Sequence, residues 1–168
     1  IRDNIALGLN NDPTEVSDEE VISASKRAYA HPFICGLPQG YNTQIGLNGL
    51  ALSTGQQQRL GIARALIRQP QCLIFDEAMS ALDGEAEKHL QNTLAALKGS
   101  ITIIIMAHRL STIKPADHIL VLGDDGTIVE QGSPNKLLAT KGVFYKLYEL
   151  QIGGMDQFIN LYNLMSKS

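Results

Sequence analysis

The chain has 168 residues, 44% of them apolar and 18% charged, an ordinary globular composition that is long enough for one folded unit with its own core. Its formal charge of −3 offers no broad basic field, which argues against a dominant nucleic-acid role, since neutralising phosphates takes clustered lysine and arginine. The longest apolar run, ITIIIMA at 101–107, is far short of the roughly 20 residues that cross a bilayer.

In chain order, IRDNIALG opens at Ile1 inside an apparent element and reads as a cut within a longer protein. Ser17 and Glu20 stand in capping-box spacing before EEVISASKRAYA, in which Val21, Ala24 and Ala28 share a face. A short helix and a turn at GLPQGYN follow. QIGLNGLALSTGQ, with three glycines before Gln56, reads as a loop. Ser53 occupies an N-cap position for a helix from Gln56 to Arg68, which Pro70 helps to end.

From residue 72 the texture changes. CLIF and ITIIIMA are continuous apolar runs, as expected of strands covered on both faces of a parallel sheet, and GEAEKHLQNTLAALKG supplies the crossover helix, ending at Gly99. HILVLGDDGTIVEQG reads as two strands about an Asp-Gly turn. Ser133 and Pro134 then open a helix as N-cap and first residue, VFYKLYELQ forms another, and Gly153 and Gly154 precede a last amphipathic segment whose stripe is Met155, Phe158, Ile159, Tyr162 and Met165. The stripe is expected to pack on its own domain. Cys35 and Cys72 have no CxxC or histidine-pair spacing and read as reduced, largely buried thiols; His31, His89 and His118 read as surface or packing residues. Arg59, Arg64 and Arg68 are expected to form one solvated or salt-bridged helix face.

Three short stretches carry chemistry. Asp76 and Glu77 end an apolar strand, where open α/β sheets bind ligands, and paired carboxylates there suit a magnesium nucleotide. Ser53 to Gln56 form a helix N-terminus with a hydroxyl and free amides, an anion site reinforced by the helix dipole. His108 follows the second strand, within reach of a terminal phosphate if the two strands are parallel. Each stretch has a purely structural reading when taken alone; their order and spacing, with SALD at 80–83 between them, make the conjunction specific.

That conjunction resembles the nucleotide-binding domain of ATP-binding cassette (ABC) proteins. LSTGQ at 52–56 is similar to the family's signature motif, CLIFDE at 72–77 to its Walker B strand, SALD at 80–83 to its D-loop, and His108 in IIIMAHRLST to its switch histidine. IRDNIALG, AYAHPFICGLPQGYNTQIG and DHILVLGDDGTIVEQGSPNKLL look most like exporters that carry membrane-spanning and nucleotide-binding domains on one polypeptide. The family's phosphate-gripping Walker A loop carries Gly-Lys, and none of the eight lysines here follows a glycine. The resemblance therefore implies a chain that begins after that loop.

The resemblance implies a P-loop NTPase-like (RecA-like) α/β fold in its C-terminal half plus a helical subdomain. The expected divisions are 1–70 for the helical subdomain, 71–152 for the core and 153–168 for a terminal amphipathic helix. It implies ATP and Mg2+ as cofactors, with Asp76 on the metal, Glu77 as general base and His108 at the γ-phosphate. Ser53, Thr54, Gly55 and Gln56 would face an ATP held by a second nucleotide-binding domain, and Asp83 would cross that interface. The complete domain is then an ATPase that powers export by ATP-driven dimerisation, at the cytoplasmic face of a membrane, beside a transmembrane domain. This chain alone would be inactive. The alternative is a non-hydrolysing module that offers a signature surface to a partner; a DNA-repair ATPase of the same superfamily is disfavoured by the acidic charge and the lack of long heptads.

Three positions depart from the family pattern. Thr54 stands where glycine is usual, and a positive φ there would strain it. Met79 follows DEA in place of threonine, and Leu47 stands where exporters have an acid. With no strands upstream of residue 72, the sheet at 72–132 is expected to expose apolar faces and to associate.

Overall fold

The computed structural model describes residues 1–9, 12–46, 49–76, 84–106 and 110–151. It divides into two compact units, 1–106 and 107–168.

The first unit is helices followed by a strand pair. Helices α1 (Arg2–Ala6), α2 (Asp18–Arg27), α3 (His31–Cys35) and α4 (Thr54–Leu66) precede β1 (Cys72–Asp76), helix α5 (Gly84–Leu97) and β2 (Thr102–Met106). The α2 start is the expected capping box. The Glu20 amide donates to Ser17 Oγ at 3.3 Å, while the Ser17 amide and hydroxyl donate to Glu20 Oε2 at 3.0 and 2.9 Å. Such a box contributes about 1 kcal/mol. The Ser17 hydroxyl, and after it the Ser17 amide, hold the Glu20 carboxyl below its usual range. Ile5, Val21, Ile34 and Leu66 are almost fully buried and, with Leu60, Ala63, Leu73, Phe75 and Leu90, form one continuous core.

β1 and β2 pair in parallel, Leu73 opposite Ile103 and Phe75 opposite Ile105, with α5 as the crossover. Parallel strands need such a connection. Leu73 and Phe75 are buried, with Ile103 and Ile105 packed against the same core. The alternate positions are not covered: Ile74 is 59% exposed, Ile104 48% and Met106 47%. The expectation of strands buried on both faces is thus corrected to one buried face. A continuous apolar run shows that both faces can be buried, and only the surrounding elements decide whether they are.

The open face should make the 168-residue chain associate. Removing an isoleucine side chain from water is worth roughly 1.5–3 kcal/mol, so replacing Ile104 by lysine should weaken self-association at least about tenfold. Sedimentation equilibrium is the check. A mass that stays at 18.3 kDa as the unsubstituted chain is concentrated would contradict the prediction.

The second unit holds α6 (Leu110–Ile113), the antiparallel pair β3 (Ile119–Leu122) and β4 (Ile128–Gly132), α7 (Pro134–Thr140) and α8 (143–151). Ile119, Val121, Leu137 and Phe144 are its core. The Asp-Gly turn between the strands is as expected: Gly126 has φ +79°, and Asp125 Oδ1 accepts from the Thr127 hydroxyl at 2.7 Å and amide at 3.0 Å. Ser133 caps α7, with Pro134 as its first residue. The Glu130 carboxylate of β4 caps α8, accepting from the amides of Val143 at 2.5 Å and Phe144 at 3.0 Å. Among the described residues no helix is long and apolar enough to cross a membrane.

Candidate functional site

The most fully defined candidate is the N-terminus of α4. Ser53 adopts extended angles, φ −64° and ψ 157°, and its hydroxyl accepts from the Gln56 amide at 3.3 Å. Gln56 Oε1 in return accepts from the Ser53 amide at 3.0 Å, closing a second capping box. The helix starts at Thr54, two residues before the expected Gln56. No acidic side chain lies in its first turn, so its positive end is not neutralised locally. The amides of Thr54 and Gly55 belong to the first turn and have no intrahelical acceptor. Ser53 and Thr54 are exposed, whereas Gly55 is buried. This is an end that can receive an anion.

Thr54 carries no strain. Among the described residues the non-glycine positions with positive φ are Tyr29, Gln69 and Lys141. As the first helical residue, Thr54 has a backbone that a β-branched side chain accepts.

Three arginines hold α4 in place. Arg59 donates to the carbonyls of Gly55 at 3.2 Å and Tyr29 at 3.3 Å, and its guanidinium lies 5.0 Å from the centre of the Phe33 ring. Arg64 donates to the Asn4 carbonyl at 2.8 Å and to the Asn4 side chain, and Arg68 to the Gly8 carbonyl. The expected single face is therefore corrected: Arg64 and Arg68 reach back to the α1 region, while Arg59 engages the segment around α3. Residues 59 and 64 are five apart, about 140° around a helix. Apart from the local Gly55 carbonyl, their acceptors lie 30 to 60 residues upstream, which no sequence spacing announces.

Asp76 ends β1, opposite Met106, with an exposed side chain. It is a hard oxygen donor at the carboxyl end of a parallel strand, and a carboxylate so placed fits a magnesium ion that keeps most of its water. Glu77, Met79, Asp83, His108, Leu47 and the stripe from Met155 to Met165 lie outside the described residues. Cys35 and Cys72 are free, as expected, but exposed rather than buried. For His31 the expectation is a surface or packing role; its Nδ1 lies 2.8 Å from the Tyr41 hydroxyl, a contact across ten residues that periodicity does not reveal.

Comparison with known proteins bears on the whole of this arrangement. The profile of the family described as ABC transporter matches residues 4–80. The chain is 49% identical over 152 residues to an uncharacterized ABC transporter ATP-binding protein, y4gM, of Sinorhizobium fredii, covering 90% of this chain and 25% of that one. It is 51% identical over 154 residues to an ATP-dependent lipid A-core flippase of Haemophilus influenzae, covering 92% of this chain and 26% of that protein. A solved bacterial Atm1-family ABC exporter with ATP bound superposes with a TM-score of 0.75 at 44% identity, over 88% of this chain and 25% of that one. The chain thus spans about a quarter of the length of the relatives it matches. The profile match, the identity to proteins described as ABC transporters and flippases, and the superposition on an ABC exporter agree, and the chain belongs to the ABC transporter family, as part of a nucleotide-binding domain of the exporter type.

Proposed function

We propose that this chain supplies the signature-bearing and Walker B portions of a nucleotide-binding domain that hydrolyses ATP to drive export. The observation that carries the reading is the Ser53–Gln56 capping box, which leaves the first-turn amides of α4 and an exposed Ser53 hydroxyl available to phosphate oxygens. Ser53, Thr54, Gly55 and Gln56 engage an ATP held by a second nucleotide-binding domain, and Asp83 crosses the interface between the two. Asp76 holds Mg2+, which neutralises developing phosphate charge when bound; Glu77 orients and deprotonates the attacking water; His108 contacts the γ-phosphate. The work is done at the cytoplasmic face of a membrane, against a transmembrane domain on the same longer polypeptide.

A Mg-ATP titration of the 168-residue chain beside the whole polypeptide tests the reading. The whole polypeptide should bind, and the short chain, which has no Gly-Lys pair, should not bind measurably at the same nucleotide concentrations. Tight binding by the short chain would place the phosphate grip elsewhere and overturn the assigned roles.

A further inference from the structure

Outside the nucleotide site, α3 carries a nucleophile beside a base. Cys35 is exposed and free. One helical turn earlier, the imidazole of His31 places Nδ1 3.7 Å and Nε2 3.6 Å from Cys35 Sγ. His31 Nδ1 is 2.8 Å from the hydroxyl of Tyr41, which is half-buried. A thiol, a base within reach and a third group that orients the base form the arrangement that activates nucleophiles. We propose that Cys35 is a site of reversible modification by small disulfides, activated by the His31 imidazole that Tyr41 holds in place.

Protons decide how the cluster works. With Nδ1 engaged by Tyr41, Nε2 is the nitrogen that can take the thiol proton. The phenolic oxygen has lone pairs that can accept from Nδ1–H, which leaves Nε2 open to receive a proton. The two S···N distances are nearly equal, which places the sulfur between the nitrogens rather than in line with either lone pair. Rotation of the exposed Cys35 side chain brings it to Nε2 for transfer, and the later attraction of thiolate to imidazolium depends on separation more than on alignment. The charged group of α4 against α3 is cationic Arg59, over Phe33. α2 has Lys26 and Arg27 in its last turn, just before α3, and its acids Asp18, Glu19 and Glu20 in the first.

In the reaction the Cys35 thiolate attacks one sulfur of the disulfide. A new S–S bond forms, the old one breaks, and the departing thiolate takes up the proton held on His31 or leaves it to solvent. Cys35 is oxidised to a mixed disulfide and the reagent is reduced to one thiol.

Cys72, the other free and exposed thiol, shares a strand face with Ile74 and is covered if that face associates, so it is removed rather than used as the comparison. The experiment follows the reaction of dithiobisnitrobenzoate, and then of glutathione disulfide, with the Cys72→Ala and Cys35→Ala chains across pH 5 to 9. An ordinary thiol is about 3% ionised at pH 7. A histidine 3.6–3.7 Å from the sulfur that takes its proton should make the Cys35 reaction at pH 7 about threefold faster than in a chain lacking that imidazole. Adding His31→Ala to Cys72→Ala should remove that gain. Tyr41→Phe keeps the imidazole but frees it, and should move the profile part of the way, which separates activation from a general loss of fold. A Cys35 rate that neither substitution changes anywhere in that pH range would overturn the proposal.

Discussion

Replacing Glu77 by glutamine in the whole polypeptide is expected to lower ATP turnover by roughly 10²–10⁴-fold, the usual contribution of a general base, while Mg-ATP binding persists. Glutamine has nearly the volume of glutamate and keeps a carbonyl for a hydrogen bond, but it cannot take a proton from water. In the proposed roles Asp76, the exposed carboxylate at the end of β1, would still hold the metal. Phosphate release and nucleotide affinity, measured on the same preparation, separate the two roles. If binding and turnover fall together, Glu77 belongs to the metal's own ligands; if turnover stays near normal, the base is another group.

Whether sequence discloses such features depends on how far the interacting groups lie apart along the chain. The Ser17–Glu20 capping box and the Ser53 N-cap are legible because their hydrogen bonds are local, whereas the return bond that makes Ser53 and Gln56 a second box is not among the expectations, which start the helix at Gln56. The β1–α5–β2 unit was legible because strand, crossover helix and strand each have a characteristic pattern and length. The family resemblance rested on residue types at fixed spacings, LSTGQ and CLIFDE above all, and the matching relatives agree with it. Long-range features were different. That Ile74 and Ile104 face solvent depends on what lies over them, and an apolar run looks the same whether covered or bare. The arginines of α4 could be assigned to a helix but not to their acceptors, because a carbonyl is offered by every residue. The exposure of Cys35 likewise follows from how α3 lies on the core, not from its neighbours in sequence.

Gly8 should be the least replaceable glycine of the first unit, and Gly61 one of the most. Gly8 lies in the 3₁₀ segment Leu7–Leu9, against α4. A Cβ built there would stand 2.1 Å from the Arg64 carbonyl oxygen and 2.6 Å from Ile67 Cγ2. The first of these is helix backbone, which cannot yield without shifting the last turn of α4, so the segment must move away. Moving it withdraws the Gly8 carbonyl from Arg68 and loosens the contact of α1 with α4, through which the almost fully buried Ile5 and Leu66 share one core. Overpacking of this kind costs about 1–3 kcal/mol and the lost hydrogen bond about 1 more. At this chain length Gly8→Ala should therefore lower the melting midpoint by roughly 5–10 °C. Gly61 is inside α4, exposed, with nothing within 4 Å of a built Cβ. Alanine there restrains the unfolded chain without a clash and should add about 0.5–1 kcal/mol. Thermal melts of the two variants are expected to shift in opposite directions, and equal shifts would mean that α1 does not approach α4 as closely as the Gly8 contact requires.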